Sequence, residues 1–185
     1  VWFAARELNS IVMQSLQNED IPSITFPPST FLSTSAKSKK EIFLSTIVAA
    51  LNANLMPVVH GDVIFDTQLG GTILSTEDIF IILAENFHPS KILLAGIEPF
   101  IWEDFPENKK PIKRITTRSF EDFRSKLHGS SSIDVTGGML EKVRIMIELL
   151  KKHPSTKISI FSGLTPDCLI HEFKNEPTGT LIISE

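Results

Sequence analysis

The sequence predicts an α/β fold with a mostly parallel central sheet covered by helices on both faces. Three observations carry this. Strand-like and helix-like segments alternate along nearly the whole chain, the strands are continuous apolar runs without polar alternation, and several of them end in glycine. In such sheets ligands bind beyond the carboxyl ends of the strands. The ends worth inspecting are therefore His60-Gly61-Asp62, Ala95-Gly96 and Phe161-Ser162-Gly163.

Residues 2–18 read as an amphipathic helix with Leu8, Ile11, Val12 and Leu16 on one face. A strand at Ile21–Phe26 meets Pro27-Pro28-Ser29, which fixes a stiff turn. A second helix is expected over residues 40–53, from the spacing of Phe43, Ile47, Val48 and Leu51. Met56–His60 is a buried type of strand. Val63–Phe65 and Thr72–Leu74, parted by Gly70-Gly71, form a hairpin. Ser75-Thr76-Glu77-Asp78 opens a helix: Ser75 caps it, Asp78 sits where a capping-box acid belongs, and Pro89 ends it.

Lys91–Ala95 is the next apolar strand, and residues 102–113 are loop-like. A short helix (Phe120–Leu127) and a Gly-Ser loop (Gly129–Ser132) lead to a diglycine turn and a helix over residues 139–152. The chain closes as strand (Lys157–Phe161), short helix (about 166–173) and strand (Thr180–Ile183).

Composition narrows the function. With 185 residues, 42% of them hydrophobic, the chain suits one globular domain. Its net charge of −4, with no long block of one sign, argues against nucleic acid or an anionic membrane as the main partner. Cys168 is alone, so no internal disulfide framework exists and a reducing, cytoplasmic setting is expected. The longest apolar run, Ile79–Ala84, is far too short for a membrane span. The five histidines show no ligand spacing, which predicts no protein-bound metal. The chain opens on Val1-Trp2-Phe3 already in helical periodicity, and the expectation is that the start of the domain is absent.

The stretch richest in chemistry is Asp134-Val135-Thr136-Gly137-Gly138-Met139-Leu140-Glu141-Lys142. Glycine lets backbone amides approach an anion, a helix start adds partial positive charge, and Lys142 adds a full one. On pattern alone a flexible turn before a helix with a solvated lysine is the favoured reading, and Asp134 just upstream shifts the balance toward function. Gly61-Asp62 reads equally as a type I′ hairpin turn or as the mouth of a site with Asp62 at its rim. Glu77 is most simply an acid complementing the helix dipole. It could also pair with a catalytic lysine and aim it. His60 reads as a satisfied core or rim residue. Neither a P-loop nor a dinucleotide fingerprint is present.

Taken in order, Pro57-Val58-Val59-His60-Gly61-Asp62-Val63, Ile73-Leu74-Ser75-Thr76-Glu77-Asp78-Ile79, Asp134-Val135-Thr136-Gly137-Gly138-Met139 with Lys142, Phe161-Ser162-Gly163 and Gly179-Thr180 resemble the amino acid kinase superfamily, and within it the isopentenyl phosphate kinases. Arg6-Glu7-Leu8-Asn9 and Phe26-Pro27-Pro28-Ser29 are similar to theirs too. The resemblance implies a three-layer αβα sandwich that moves the γ-phosphoryl group of ATP, carried with Mg²⁺, onto isopentenyl phosphate. It implies catalytic roles for Lys142 and Glu77, and nucleotide contacts from Gly137, Gly138, Lys142, Ala95, Gly96 and Gly163. Gly61, Asp62 and Ser75 would border the acceptor, with Trp2, Phe3 and Phe31 as candidates for a prenyl groove. A homodimer is implied as well.

Three departures stand out. Ser75-Thr76-Glu77 replaces the usual Ser-Gly-Asp, and Ala95–Phe100 replaces the usual Thr-Asp-x-x-Gly-Val, which leaves nucleotide preference open. The family's first segment, with its Gly-Gly-Ser loop and substrate histidine, has no counterpart, so the isolated chain is expected to be inactive. The other readings are a fosfomycin kinase-like or other small phosphate or phosphonate kinase, and a non-catalytic nucleotide-binding regulator.

Overall fold

A computed structural model describes residues 2–104, 107–122 and 133–185, with no side-chain description at 39, 40 and 133–137. The chain resolves into two compact units, residues 1–80 and 81–185, and the division falls inside a helix.

In the first unit, α1 (Trp2–Asn18) is followed by β1 (Ser23–Phe26) and a 3₁₀ turn at Pro28–Thr30. Then come β2 (Leu32–Ser35), β3 (Lys39–Ile42), α2 (Ser45–Asn52), β4 (Met56–Val59), β5 (Asp62–Asp66), β6 (Gly70–Leu74) and the start of α3 (Thr76–Phe87). β1 and β4 pair in parallel, with Phe26 opposite Val59. The other four strands form a sheet in the order β3-β2-β5-β6, two antiparallel hairpins joined by a parallel β2/β5 seam. Phe31, Leu32, Ile47, Ile64, Leu74 and Ile79 fill the core.

One buried carboxylate holds the two hairpin ends together. Asp66 accepts hydrogen bonds from the Thr34 hydroxyl (2.8 Å) and the amides of Ala36 (3.1 Å), Lys37 (2.8 Å), Gln68 (2.9 Å) and Leu69 (2.9 Å). Burial by itself would raise its pKa. The amides of Lys37, Leu69 and Gln68 and the Thr34 hydroxyl outweigh that and hold the carboxyl far below the usual range. They also steady a β2–β3 turn in which Ala36 and Lys37 are both left-handed (φ 51° and 62°) without being glycine.

That turn is where sequence and structure part. Residues 40–53 are not one helix: Lys39–Ile42 is a strand and the helix begins at Ser45. The Phe43 amide donates to the Phe31 carbonyl (2.8 Å), so hairpin pairing prevails over helical spacing there. The apolar face expected of α1 also turns outward. Leu8, Ile11 and Val12 are exposed, while the partly covered side is Ala5, Asn9, Met13 and Leu16. The Thr25 hydroxyl bonds the Asn9 side chain there (3.0 Å).

The second unit holds the rest of α3, then β7 (Lys91–Gly96), β8 (Ile101–Trp102), β9 (Pro111–Ile112), β10 (Arg114–Thr116), α4 (Ile133–Lys152), β11 (Lys157–Ser162), α5 (Cys168–Phe173) and β12 (Thr180–Ile183). Its sheet runs β10-β12-β11-β7, parallel except for the β11/β12 pair. The segment expected to be a loop at 102–113 contains the small antiparallel β8/β9 pair. Residues 158–162 are buried in succession, as a strand covered on both faces must be. α4 packs against β12 and buries Val143, Met146, Ile147 and Leu150, the i, i+3, i+4, i+7 spacing of an apolar face. Residues 120–122 are helical, whereas the expected continuation to Leu127 and the Gly129–Ser132 loop lie outside the described residues.

Candidate nucleotide and acceptor sites

Each unit brings together part of the expected set. In the first, the strand end and the α3 start meet at Gly61. A Cβ there would lie 3.1 Å from the Leu74 carbonyl oxygen, 3.1 Å from the Thr76 amide and 3.2 Å from the Thr76 hydroxyl. Only glycine lets these two segments approach so closely without displacement. Gly61 is thus not in a hairpin turn, because β4 pairs with β1 while β5 pairs with β6 and β2.

The capping box at α3 is present as expected. The Ser75 hydroxyl donates to Asp78 Oδ2 (2.8 Å) and accepts from the Asp78 amide (3.1 Å). The Ser75 side chain is therefore committed to the cap, and a substrate would meet the exposed rim of this turn. Glu77 is half-buried in the first turn of the helix.

Asp62 departs from the expectation of a rim residue. It is only 2% exposed, and its Oδ1 accepts from the amide of Val63 (2.7 Å). Its Oδ2 lies 3.9 Å from His60 Nε2. Both ring nitrogens of His60 are buried without a hydrogen-bond partner among the described residues. Expected to be a satisfied residue, His60 is the group sequence reasoning passed over, and its position directly before Gly61 was the available signal. Among the prenyl-groove candidates, Phe31 is fully buried in the core, whereas Trp2 and Phe3 are exposed.

In the second unit, Ala95, Gly96 and Gly163 come together as expected at the carboxyl ends of two parallel strands. Phe161 registers with Ala95 and Ser162 with Gly96. The Gly163 amide donates to the Gly96 carbonyl (2.8 Å), and a Cβ on Gly163 would press to 3.3 Å from that of Ala95. The Ser162 hydroxyl donates to the Ile97 carbonyl (2.9 Å), which ties down the loop leaving β7. Gly179 tightens the same end. A Cβ there would overlap the Ile160 carbonyl oxygen and fall 2.7 Å from that of Pro99. Thr180 then bridges β8 and β9, accepting from the Ile101 amide (2.9 Å) and donating to the Ile112 carbonyl (2.6 Å).

The diglycine differs from its expected form. α4 starts at Ile133, so Gly137 and Gly138 lie within the helix and not in a turn before it. Lys142 is its tenth residue, exposed in the third turn. The helix-terminal field fades within the first turn, so it does not reach Lys142. Gly138 and Lys142, four apart, share one helix face. A Cβ on Gly138 would meet nothing within 4 Å among the described residues, so their packing does not demand glycine there. Beside them Arg144 grips Glu141 through two hydrogen bonds (2.8 and 2.6 Å), which lowers the Glu141 pKa and raises that of Arg144.

Among the described residues no group of three or more His, Cys, Asp or Glu could hold a metal ion, and no helix is long and apolar enough to cross a membrane.

Glycine-lined carboxyl ends of parallel strands, with a lysine-bearing helix in the same unit, define an α/β protein of the class whose ligand sites lie beyond the strand ends. The chain belongs to the amino acid kinase family, which it matches over residues 4–162. It is 35% identical over 180 residues to the isopentenyl phosphate kinase of Methanocaldococcus jannaschii, covering 97% of this chain and 65% of that protein. Over 146 residues it is 30% identical to the isopentenyl phosphate kinase of Haloferax volcanii, covering 79% and 57% of the two chains. A solved isopentenyl phosphate kinase structure superposes with a TM-score of 0.74 at 23% identity, over 96% of this chain and 66% of the other. A UMP kinase from Ureaplasma parvum gives 0.58 at 11%, over 95% and 66%. The α/β class expected from the sequence is the fold of these structures. The chain thus spans less than two thirds of the length of these two curated relatives.

Proposed function

We propose that this chain is the greater part of one amino acid kinase domain that phosphorylates isopentenyl phosphate with ATP, giving isopentenyl diphosphate. The observation that carries the reading is the 35% identity to an isopentenyl phosphate kinase, sustained over 97% of the chain. In this reading Ala95, Gly96 and Gly163 receive the nucleotide, Lys142 neutralises the transferring phosphates, and Gly137 and Gly138 keep the helix face beside it free of side chains. Glu77 keeps the role of the family's organising acid. Gly61 and the Ser75 turn border the acceptor phosphate.

The buried carboxylate of Asp62 would repel an acceptor phosphate on contact, so its part is to hold the strand end beside Gly61 through the Val63 amide. Mg²⁺ enters with ATP as part of the substrate. An acceptor phosphate oxygen attacks the γ-phosphorus and ADP leaves, so the protein's contribution is positioning and charge neutralisation. The complete protein would work as a cytoplasmic homodimer.

Coupled measurement of ADP release by the complete protein tests this. Isopentenyl phosphate supports turnover, and Lys142→Ala lowers kcat by about 100-fold or more. Turnover with other small phosphates but not with isopentenyl phosphate would retire the substrate. An unchanged kcat in Lys142→Ala would retire the lysine.

A further inference from the structure

The second unit carries another concavity, at the opposite end of its central strands. β7 and β11 begin with Lys91 and Lys157, which are register partners, about 16 Å along the strands from Gly96. Next to them a cavity of about 160 Å³ is lined by Lys91, Lys157, Ser159, Leu181, Glu172 and Asn175, among others. Ser159 and Leu181 face each other across the β11/β12 pair.

Three features give this cavity a chemistry. The Ser159 hydroxyl is buried, its residue only 3% exposed, and has no hydrogen-bond partner among the described residues. A buried hydroxyl left unpaired is costly and calls for an explanation. Two ammonium groups stand at directly paired strand positions, which is unfavourable unless something negative lies between them. Lys91 donates to the Glu172 carbonyl oxygen, while Lys157 has no partner among the described residues. The Glu172 carboxylate is buried too, and its Oε1 accepts from the Thr178 amide (2.6 Å) and hydroxyl (3.0 Å). Two lysines against one carboxylate leave a single net positive charge.

We propose that this cavity binds a small organic monoanion, a carboxylate with a short apolar tail. Its head would take the Lys157 ammonium and the Ser159 hydroxyl, and its tail would lie along Leu181. A dianion fits worse, because its second charge would face Glu172 uncompensated. The volume is room for on the order of five water molecules, enough for a molecule of butyrate size.

Calorimetric titration of the complete protein with sodium butyrate tests the site, with sodium chloride at equal ionic strength and sodium phosphate as comparisons. Saturable butyrate binding with a Kd on the order of millimolar is expected. Lys157→Gln, at an exposed position, should weaken it about tenfold, and Ser159→Ala should weaken it severalfold. Circular dichroism checks that both variants fold. Absence of saturable butyrate binding, an unchanged Kd in Lys157→Gln, or displacement of bound butyrate by phosphate at concentrations below the butyrate Kd would each overturn the proposal. The readout is binding and not turnover, so its outcome is independent of the kinase reading.

Discussion

Gly179 and Gly138 belong to the same unit, yet they are glycines for opposite reasons. At Gly179 the fold leaves no room: two carbonyl oxygens occupy the space a side chain would need. At Gly138 the space is open among the described residues, and a glycine inside a helix costs about 0.5–1 kcal/mol relative to alanine. The same contrast separates carboxylates. Asp66 is buried under five donors, while Glu141 sits exposed in a salt bridge that solvent screens. A residue imposed by packing reveals the architecture. A residue that packing would rather replace points to a ligand.

The hardest test of this contrast is Gly179→Ala. A methyl group driven into backbone carbonyls has nowhere to relax, and a loss above about 4 kcal/mol is expected, read as failure to fold or a collapsed denaturation midpoint. A variant with near-native stability would show that the crossing is not rigid.

Asp66→Asn comes next. An amide offers one acceptor oxygen and turns its own N–H groups toward backbone amides, so melting should drop by more than for any exposed pair on α4. The pH dependence has a definite sign. The folded-state pKa lies below the unfolded value, so the stabilisation is full above about pH 4 and drains as pH falls below it. Acid titration of wild type and variant should converge at low pH; parallel curves would remove Asp66 as the cause.

Gly138→Ala should move stability and function in opposite directions. Thermal unfolding should show a gain of up to about 1 kcal/mol, with an ATP KM raised roughly tenfold in the complete protein if a phosphate uses the open face. Greater stability with unchanged KM would leave the helical glycine without a role. Arg144→Met marks the small end, with a change within about 0.5 kcal/mol by chemical denaturation. A loss comparable to that of Asp66→Asn would erase the distinction between buried and exposed carboxylates.

Much of this was legible in the residues themselves. The Ser75–Asp78 cap, the Pro27-Pro28 turn, the Gly70 hairpin and the strand-end glycines at 96 and 163 follow from local rules that need only a few neighbouring positions. The β2–β3 hairpin was not legible. Its turn uses Ala36 and Lys37 in left-handed conformations that no local preference favours, and a carboxylate about thirty residues away secures it. The outward face of α1 was missed for a related reason: periodicity finds an apolar stripe but does not say which side meets the sheet.

The order of motifs by itself determined the family and the α/β class, because glycine placement, capping and apolar runs are written in adjacent residues. Tertiary structure alone decided that Asp62 is buried, that the diglycine lies inside a helix, and that His60 and Ser159 keep polar atoms unpaired among the described residues. Those outcomes depend on which distant groups arrive beside each residue. Burial and hydrogen-bond satisfaction are properties of that neighbourhood, and no short window of sequence contains them.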